Sequence, residues 1–395
     1  MGTFAEGSVK SEMSVKPGDS TAGLGAIADL LKRNNIDPAD IGRVKRISAW
    51  QSASKDAEGD IQITDLVGVQ LSPTWEEDPL WPVVQPTTPA KVHYGRRPSP
   101  LTDEYHRTVL FPDPQIGYWR NLDNGELIAM HDEEAFSVAL NIARAVRPDR
   151  IVHLGDFLDL AEFSSKFAVH PEFAFTTQAA INRGHEFLAE CRAILGPQED
   201  GDDPNLFLLA GNHDDRLGKA VLSNAIAALR LRRADAPESW PAMSVPNLLA
   251  LDSIGCEYIG GYPAGSLKLA DGNKTQTPLY AVHERGLDVA KVAKQQRQSY
   301  VQGHAHRVAM HSETYELDGE AIDVEAWSLG SLCRRDGFVP SVKGSPDDRG
   351  APVKRFESWQ QAVGVLTVAP DGGWTLEAIR IRDGRAFYGG KVYAA

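Results

Sequence analysis

From about Arg107 onward, short apolar runs alternate with longer stretches of helical periodicity. The runs Val109-Leu110-Phe111, Ile151-Val152-His153-Leu154, 206–209, 279–282 and Tyr300-Val301 are of strand length and bounded by turn-forming residues, which predicts buried strands. Positions 132–146 and 177–195 carry apolar residues at helical spacing and predict helices. Alternation of this kind implies an α/β core. Further strands are expected at 326–329, 362–368 and 374–381, with a flexible charged loop at 341–356.

The first hundred residues read differently. Leu24, Ile27, Ala28, Leu30 and Leu31 share one helical face, and Ile36-Asp37-Pro38 breaks that helix. Branched residues over 44–51 and 60–69 flank a polar turn, as in a β-hairpin. Residues 71–100 hold seven of the 24 prolines. Proline lacks an amide donor and disfavours helix in the residue before it, so this segment predicts an extended linker, laid over a domain surface by Trp75, Trp81 and Tyr94. The predicted organisation is a flexible tail at 1–20, a small α+β domain at 21–71, a Pro-rich linker at 72–105 and a main domain at 106–395.

Composition narrows the function classes. The 395 residues are 42% hydrophobic and 24% charged, the balance of a folded globular chain. No run approaches the roughly 18 apolar residues of a membrane span. The first twenty residues lack the basic-then-apolar order of a secretory signal, and Glu6 stands where a myristoylation motif needs Ser or Thr. Cys191, Cys256 and Cys333 are far apart and form neither a disulfide framework nor a CxxC knuckle, which fits a reducing compartment; a cytoplasmic location is expected. With 41 basic against 54 acidic residues the net charge is −13, so bulk charge does not bind nucleic acid and a local patch would be needed. Arg216, Lys219, Arg230, Arg232 and Arg233 form a basic run without an acidic residue, either a nucleic-acid-facing surface or a solvated helix face.

Metal-type ligands follow the predicted strands. They read Phe111-Pro112-Asp113-Pro114-Gln115, Gly155-Asp156-Phe157-Leu158-Asp159, Gly211-Asn212-His213-Asp214, Val282-His283 and Gly303-His304-Ala305-His306. In open α/β sheets ligands bind beyond the carboxyl ends of the strands, so five such ends predict one shared crevice. Glycine before a ligand lets the backbone turn sharply. Mixed imidazole, carboxylate and amide donors suit manganese, iron or zinc, and the lack of thiolates argues against a structural zinc site.

These five blocks, in this order, resemble the calcineurin-like metallophosphoesterase superfamily, with its D-x-H, G-D-x-x-D, G-N-H-D/E, lone His and G-H-x-H motifs, over about 109–387. The resemblance implies a two-sheet β-sandwich flanked by helices in four layers, with two divalent metal ions at one edge: manganese, or else magnesium, iron or zinc. It implies that Asp113, Gln115 and His306 hold one metal, that Asn212, His283 and His304 hold the second, and that Asp156 bridges them with a water or hydroxide. His213 would stand over the substrate as proton donor or charge stabiliser, oriented by Asp159. Two such metals lower the pKa of the bridging water and clamp the oxygens of an in-line displacement. The implied activity is hydrolysis of phosphodiester bonds in nucleic acid, DNA or RNA, or in nucleotides by a metal-bridging hydroxide. A phosphomonoesterase, and a binding protein with a vestigial metal site, are the alternatives.

The chain also departs from the pattern. Gln115 stands where the family usually has His; either its oxygen makes a weaker site favouring manganese or magnesium, or a water replaces it. The Gly-Asn-His-Asp form is similar to that of the double-strand-break repair nucleases, which usually carry His where Asp159 stands. Serine/threonine phosphatases normally have Arg-Gly after the second Asp and end the other block in Glu; here Leu160-Ala161 and Asp214 occupy those places. Several phage-encoded proteins share the layout, which would make the location a host cytoplasm. Arg216 either contacts substrate phosphate or pairs with Asp214 or Asp215. His153 is expected to pack, His131 to adjoin the helix cap Asp132, His170 and His185 to be surface residues, and Cys333 to pack against the sandwich; His311 is left unassigned.

Overall fold

The computed structural model describes residues 8–12, 32, 41–55, 61–73, 104–165, 171–198, 201–232, 234, 240–336 and 357–395. The expected helix over 24–31, the aromatic anchors of the linker, the loop at 341–356, Arg233 and His170 lie outside them. The chain divides into two compact units, Met1–Pro86 and Thr87–Ala395. In the first, β2 (Ile41–Lys55) and β3 (Ile61–Pro73) pair antiparallel as the expected hairpin, longer than its branched runs. Residues 8–12, expected within a tail, form strand β1 (Ser8–Glu12) on the free edge of β3, where unpaired backbone groups accept another strand.

The second unit is mixed α/β with two large sheets. In the eight-stranded sheet β4 (His106–Phe111), a strand of the two-stranded ribbon β5 (Tyr118–Arg120) and β6 (Leu127–Ala129) being separate from it, runs parallel to β7 (Arg150–His153). Beside β7 lie β8 (Leu206–Leu209) and β9 (Glu257–Ile259), also parallel. In the five-stranded sheet, β10 (Ser266–Ala270) flanks β11 (Leu279–Val282), which runs parallel to β12 (Ser299–Gln302). That sheet ends in a hairpin of β13 (Val308–Leu317) and β14 (Glu320–Leu329). An antiparallel run of β15 (Gln361–Val368), β16 (Trp374–Arg382), β17 (Arg385–Tyr388) and β18 (Lys391–Ala394) completes the larger sheet.

Four helices of eight or more residues lie among the described residues: α1 (Glu133–Val146), α2 (Thr177–Leu195), α3 (Asp214–Asn224) and α4 (Val289–Gln296). Helix α1 begins one residue after the predicted start because Asp132 is its cap, accepting from the Ala135 amide. No described helix is long and apolar enough to cross a membrane.

The short apolar runs are continuous because both faces of these strands are covered. Val109, Phe111, Ile151, Leu206 and Leu208 pack with Phe136 and Phe187 of the helices. Their neighbours Leu110, Val152, Phe207 and Leu209 point the other way and pack with Leu279, Ala281, Val301 and Leu329 of the five-stranded sheet. Val282, Tyr300 and Ala326 then pack with Val289, Val292 and Ala293 of α4. Burial of each large apolar side chain stabilises by about 1.5–3 kcal/mol, so this double-sided packing holds the strand ends that carry the expected ligands.

Candidate metal centre

All five ligand blocks follow the carboxyl ends of parallel strands. Asp113 and Gln115 come two and four residues after β4, Asp156 three after β7, and Asn212 three after β8; His283 directly follows β11, and His304 and His306 follow β12. Here the backbone leaves strand geometry abruptly. Asp113, Gln115, Asp156, His304 and His306 have φ of 39°, 45°, 46°, 58° and 53°, in the left-handed region that side chains with a Cβ avoid. Each such residue costs on the order of 1–3 kcal/mol, a strain that persists where the surrounding structure enforces it and that clusters at functional sites.

Contacts between the strand ends, within and across the sheets, enforce it here. The His304 amide donates to both carboxylate oxygens of Asp113 at 2.9 Å, across 191 residues of chain. The Asp156 Oδ1 accepts from the His213 amide at 2.8 Å. The glycines make these approaches possible: a Cβ on Gly303 would stand 2.0 Å from Asp113 Oδ2, and one on Gly211 would stand 2.2 Å from Asp156 Oδ1.

Donor atoms converge at one point. Asp156, His283 and His304 each offer a ligand atom within 4.8 Å of the others and could hold a metal ion. Asn212 Oδ1 lies between His283 Nε2 at 3.1 Å and His304 Nδ1 at 2.8 Å. His283 Nδ1 is 2.8 Å from the Leu154 carbonyl, an acceptor, so it carries a proton and leaves Nε2 facing Asp156 Oδ1 at 3.3 Å. Beside this group, His306 Nε2 lies 3.4 Å from Asp113 Oδ1 and 3.2 Å from the Gln115 amide nitrogen. The amide oxygen of Gln115 is buried with no partner.

Charge in the cluster is unbalanced toward the carboxylates. Burial would lower the His283 imidazole, yet Asp156 pushes it up to about 10. Burial likewise opposes protonation of His306, and Cys333 and Asp113 push it well above its ordinary value. Burial would raise the Asp156 carboxyl, but His213 and His283 hold it well below the usual carboxylate range. Burial and then the Asp156 charge push Asp214 up to about 7, while its Oδ2 accepts from the Gly211 amide at 2.7 Å. A cation held by these donors would take the place of the imidazole protons.

His213 caps the start of α3, with Nδ1 3.0 Å from Asp159 Oδ1 in an ion-pair approach and Nε2 3.6 Å from Asp156 Oδ2. Arg216 does not pair with Asp214 or Asp215: it donates to the Asp159 carbonyl at 2.7 Å, because one helical turn beyond His213 brings it under that loop. Lys219 takes Asp215 instead, at 2.7 Å. A groove of about 740 Å³ opens at Asn212 along α3, lined by Phe163, Arg216, Lys219, Met243 and Tyr262. Arg230 and Arg232 are exposed and do not line it.

The remaining histidines fall outside the cluster. His153 packs among Phe111, Phe157 and Phe187, as expected. His131 is buried beside the α1 cap, 2.8 Å from Glu133. His185 is half-buried, its Nδ1 2.8 Å from the Leu249 carbonyl, since its side of α2 meets the following helical turns. His311 lies 2.9 Å from Glu313 on β13. Cys333 is buried beside His306, Sγ to Nδ1 3.9 Å, rather than merely filling a sheet interior. Sequence reasoning missed Glu284, Tyr262 and Trp359. Glu284 Oε1 stands 3.3 Å from His304 Nε2, and Tyr262 donates to Glu284 Oε2 at 2.6 Å. Trp359 meets the His306 ring edge-on at 4.3 Å. Only Glu284 had a signal, a carboxylate next to an expected imidazole ligand.

No family model matches the chain, and no curated protein matches it.

Proposed function

We propose that this chain is a two-metal phosphoesterase of the calcineurin-like metallophosphoesterase kind, hydrolysing phosphodiester bonds in nucleic acid or nucleotides. The observation that carries the reading is the left-handed backbone at five of its seven expected ligands, all at one seam between the sheets. The orphaned Gln115 oxygen and the converging donors of Asp156, His283, His304 and Asn212 fit cations. Asp113, Gln115 and His306 would hold one ion, and Asn212, His283 and His304 the other, with Asp156 shared. Manganese suits this mixture of oxygen and imidazole donors. Divalent ions held there would acidify a water and neutralise charge on the phosphoryl oxygens. The packing order of helices, sheet, sheet and helix supports the four-layer architecture of that superfamily.

The chain's own groups supply the rest of the chemistry. His213 holds a proton for the leaving oxygen and Asp159 orients its ring, while Arg216 braces the Asp159 loop from below. The groove favours a diester. Its 740 Å³ falls among pockets that take whole organic ligands, far more than one phosphate needs.

With manganese, the protein is expected to turn over bis-p-nitrophenyl phosphate faster than p-nitrophenyl phosphate, and a chelator is expected to stop both. A preference for the monoester would overturn the diester reading, and absence of turnover with metal bound would overturn the enzyme reading. Gln115→His is expected to tighten the first site in a manganese titration; unchanged affinity would mean that Gln115 is not a ligand.

A further inference from the structure

We propose that Glu284, braced by Tyr262, is a positioning residue that fixes His304 with Nδ1 turned toward the metal centre. The proposal rests on the two-metal reading of that centre. An imidazole ligates through one nitrogen, and the group touching the other nitrogen decides which. His304 Nδ1 lies 2.8 Å from Asn212 Oδ1, among the converging donors, and its Nε2 lies 3.3 Å from Glu284 Oε1. A carboxylate oxygen accepts from an Nε2–H, so Glu284 holds the ring with Nδ1 inward; there Nδ1 meets Asn212 Oδ1, also an acceptor, and a bound ion would take the Nδ1 lone pair in place of that contact.

Packing cannot do this for His304. The side chains of His283 and His306 are 2% and 6% exposed, and the walls around them restrict ring rotation. That of His304 is 24% exposed and could turn. It is also the one of the three ligand imidazoles whose outer nitrogen faces a carboxylate; the others face the Leu154 carbonyl and the Cys333 sulfur. Glu284 is itself 28% exposed and would swing freely on its own. The Tyr262 hydroxyl takes its other oxygen, leaving Oε1 aimed at His304. Because Glu284 directly follows His283, one strand end delivers both a ligand and the clamp for its neighbour.

The test is a manganese titration of the full chain followed by electron paramagnetic resonance, with long-range ¹H–¹⁵N histidine spectra of the metal-free protein. Glu284→Ala is expected to weaken the second site by about 10–100-fold. It is also expected to shift metal-free His304 toward the Nδ1–H tautomer, because Asn212 Oδ1 is then the acceptor left beside the ring. Glu284→Gln keeps an oxygen that accepts from Nε2–H and is expected to recover most of the affinity, with Tyr262→Phe between the two. Wild-type affinity and tautomer in Glu284→Ala, or no recovery in Glu284→Gln, would overturn the proposal. A wild-type protein that takes up no metal would overturn the two-metal reading instead, and the metal-free tautomer would still decide the role of Glu284. Unchanged circular dichroism and Tm identify the variants that are folded.

Discussion

Asp156→Asn is expected to reduce turnover of bis-p-nitrophenyl phosphate to background and to lower the metal content of the protein. Asp156 is the carboxylate that the cluster is built around: it is buried, its backbone is left-handed, and its Oδ1 accepts from the His213 amide while facing His283. Asparagine matches its shape and can still accept from that amide, so the loop is expected to survive. What disappears is the negative charge. The His283 imidazole, pushed up to about 10 chiefly against its burial by Asp156, is then expected to titrate lower, which histidine NMR reads without reference to activity. In the wild type, metal uptake must displace that proton, so binding is expected to release protons and to tighten as pH rises. Full metal content in Asp156→Asn would remove its shared role.

His213→Ala is expected to behave differently, keeping its metal content while turnover slows by roughly 10²–10⁴-fold. The His213 amide bond to Asp156 is preserved by alanine, and the ring stands off the Asp156 carboxylate at 3.6 Å, beyond hydrogen-bonding distance. Its ring instead faces Asp159 at 3.0 Å, beside the groove that opens at Asn212. Asp159→Asn should slow turnover in the same direction by freeing the ring. Equal metal loss in Asp156→Asn and His213→Ala, measured by elemental analysis, would show that the two residues do not have separate roles.

Some features of this protein were readable in short windows. The runs around Val109, Ile151, Leu206 and Leu279 became strands because both faces of each are buried, and that condition writes an unbroken apolar stretch into the chain. The hairpin β13–β14 was read only in part, because β13 alternates half-buried and exposed positions and carries His311, Ser312 and Glu313 in its middle. One of the two readings of Arg216, the pairing with Asp214 or Asp215, fails for a related reason. Neighbouring carboxylates in the sequence suggested Asp214 or Asp215, whereas helical rotation turns Arg216 toward the Asp159 loop.

The sequence by itself determined which groups are available for chemistry and at which strand ends they occur. Side-chain type, strand periodicity and the glycines before the expected ligands are local properties, legible without knowing where the chain goes next. The tertiary structure alone decided which nitrogen of each imidazole faces inward, that Glu284 and Tyr262 stand behind His304, and that Cys333 and Trp359 border His306. These relations arise between residues such as Leu154 and His283, 129 positions apart, and Asp113 and His304, 191 apart. Only strand order and the packing of one sheet on the other bring such residues within hydrogen-bonding distance, and neither is written in any short window of the chain.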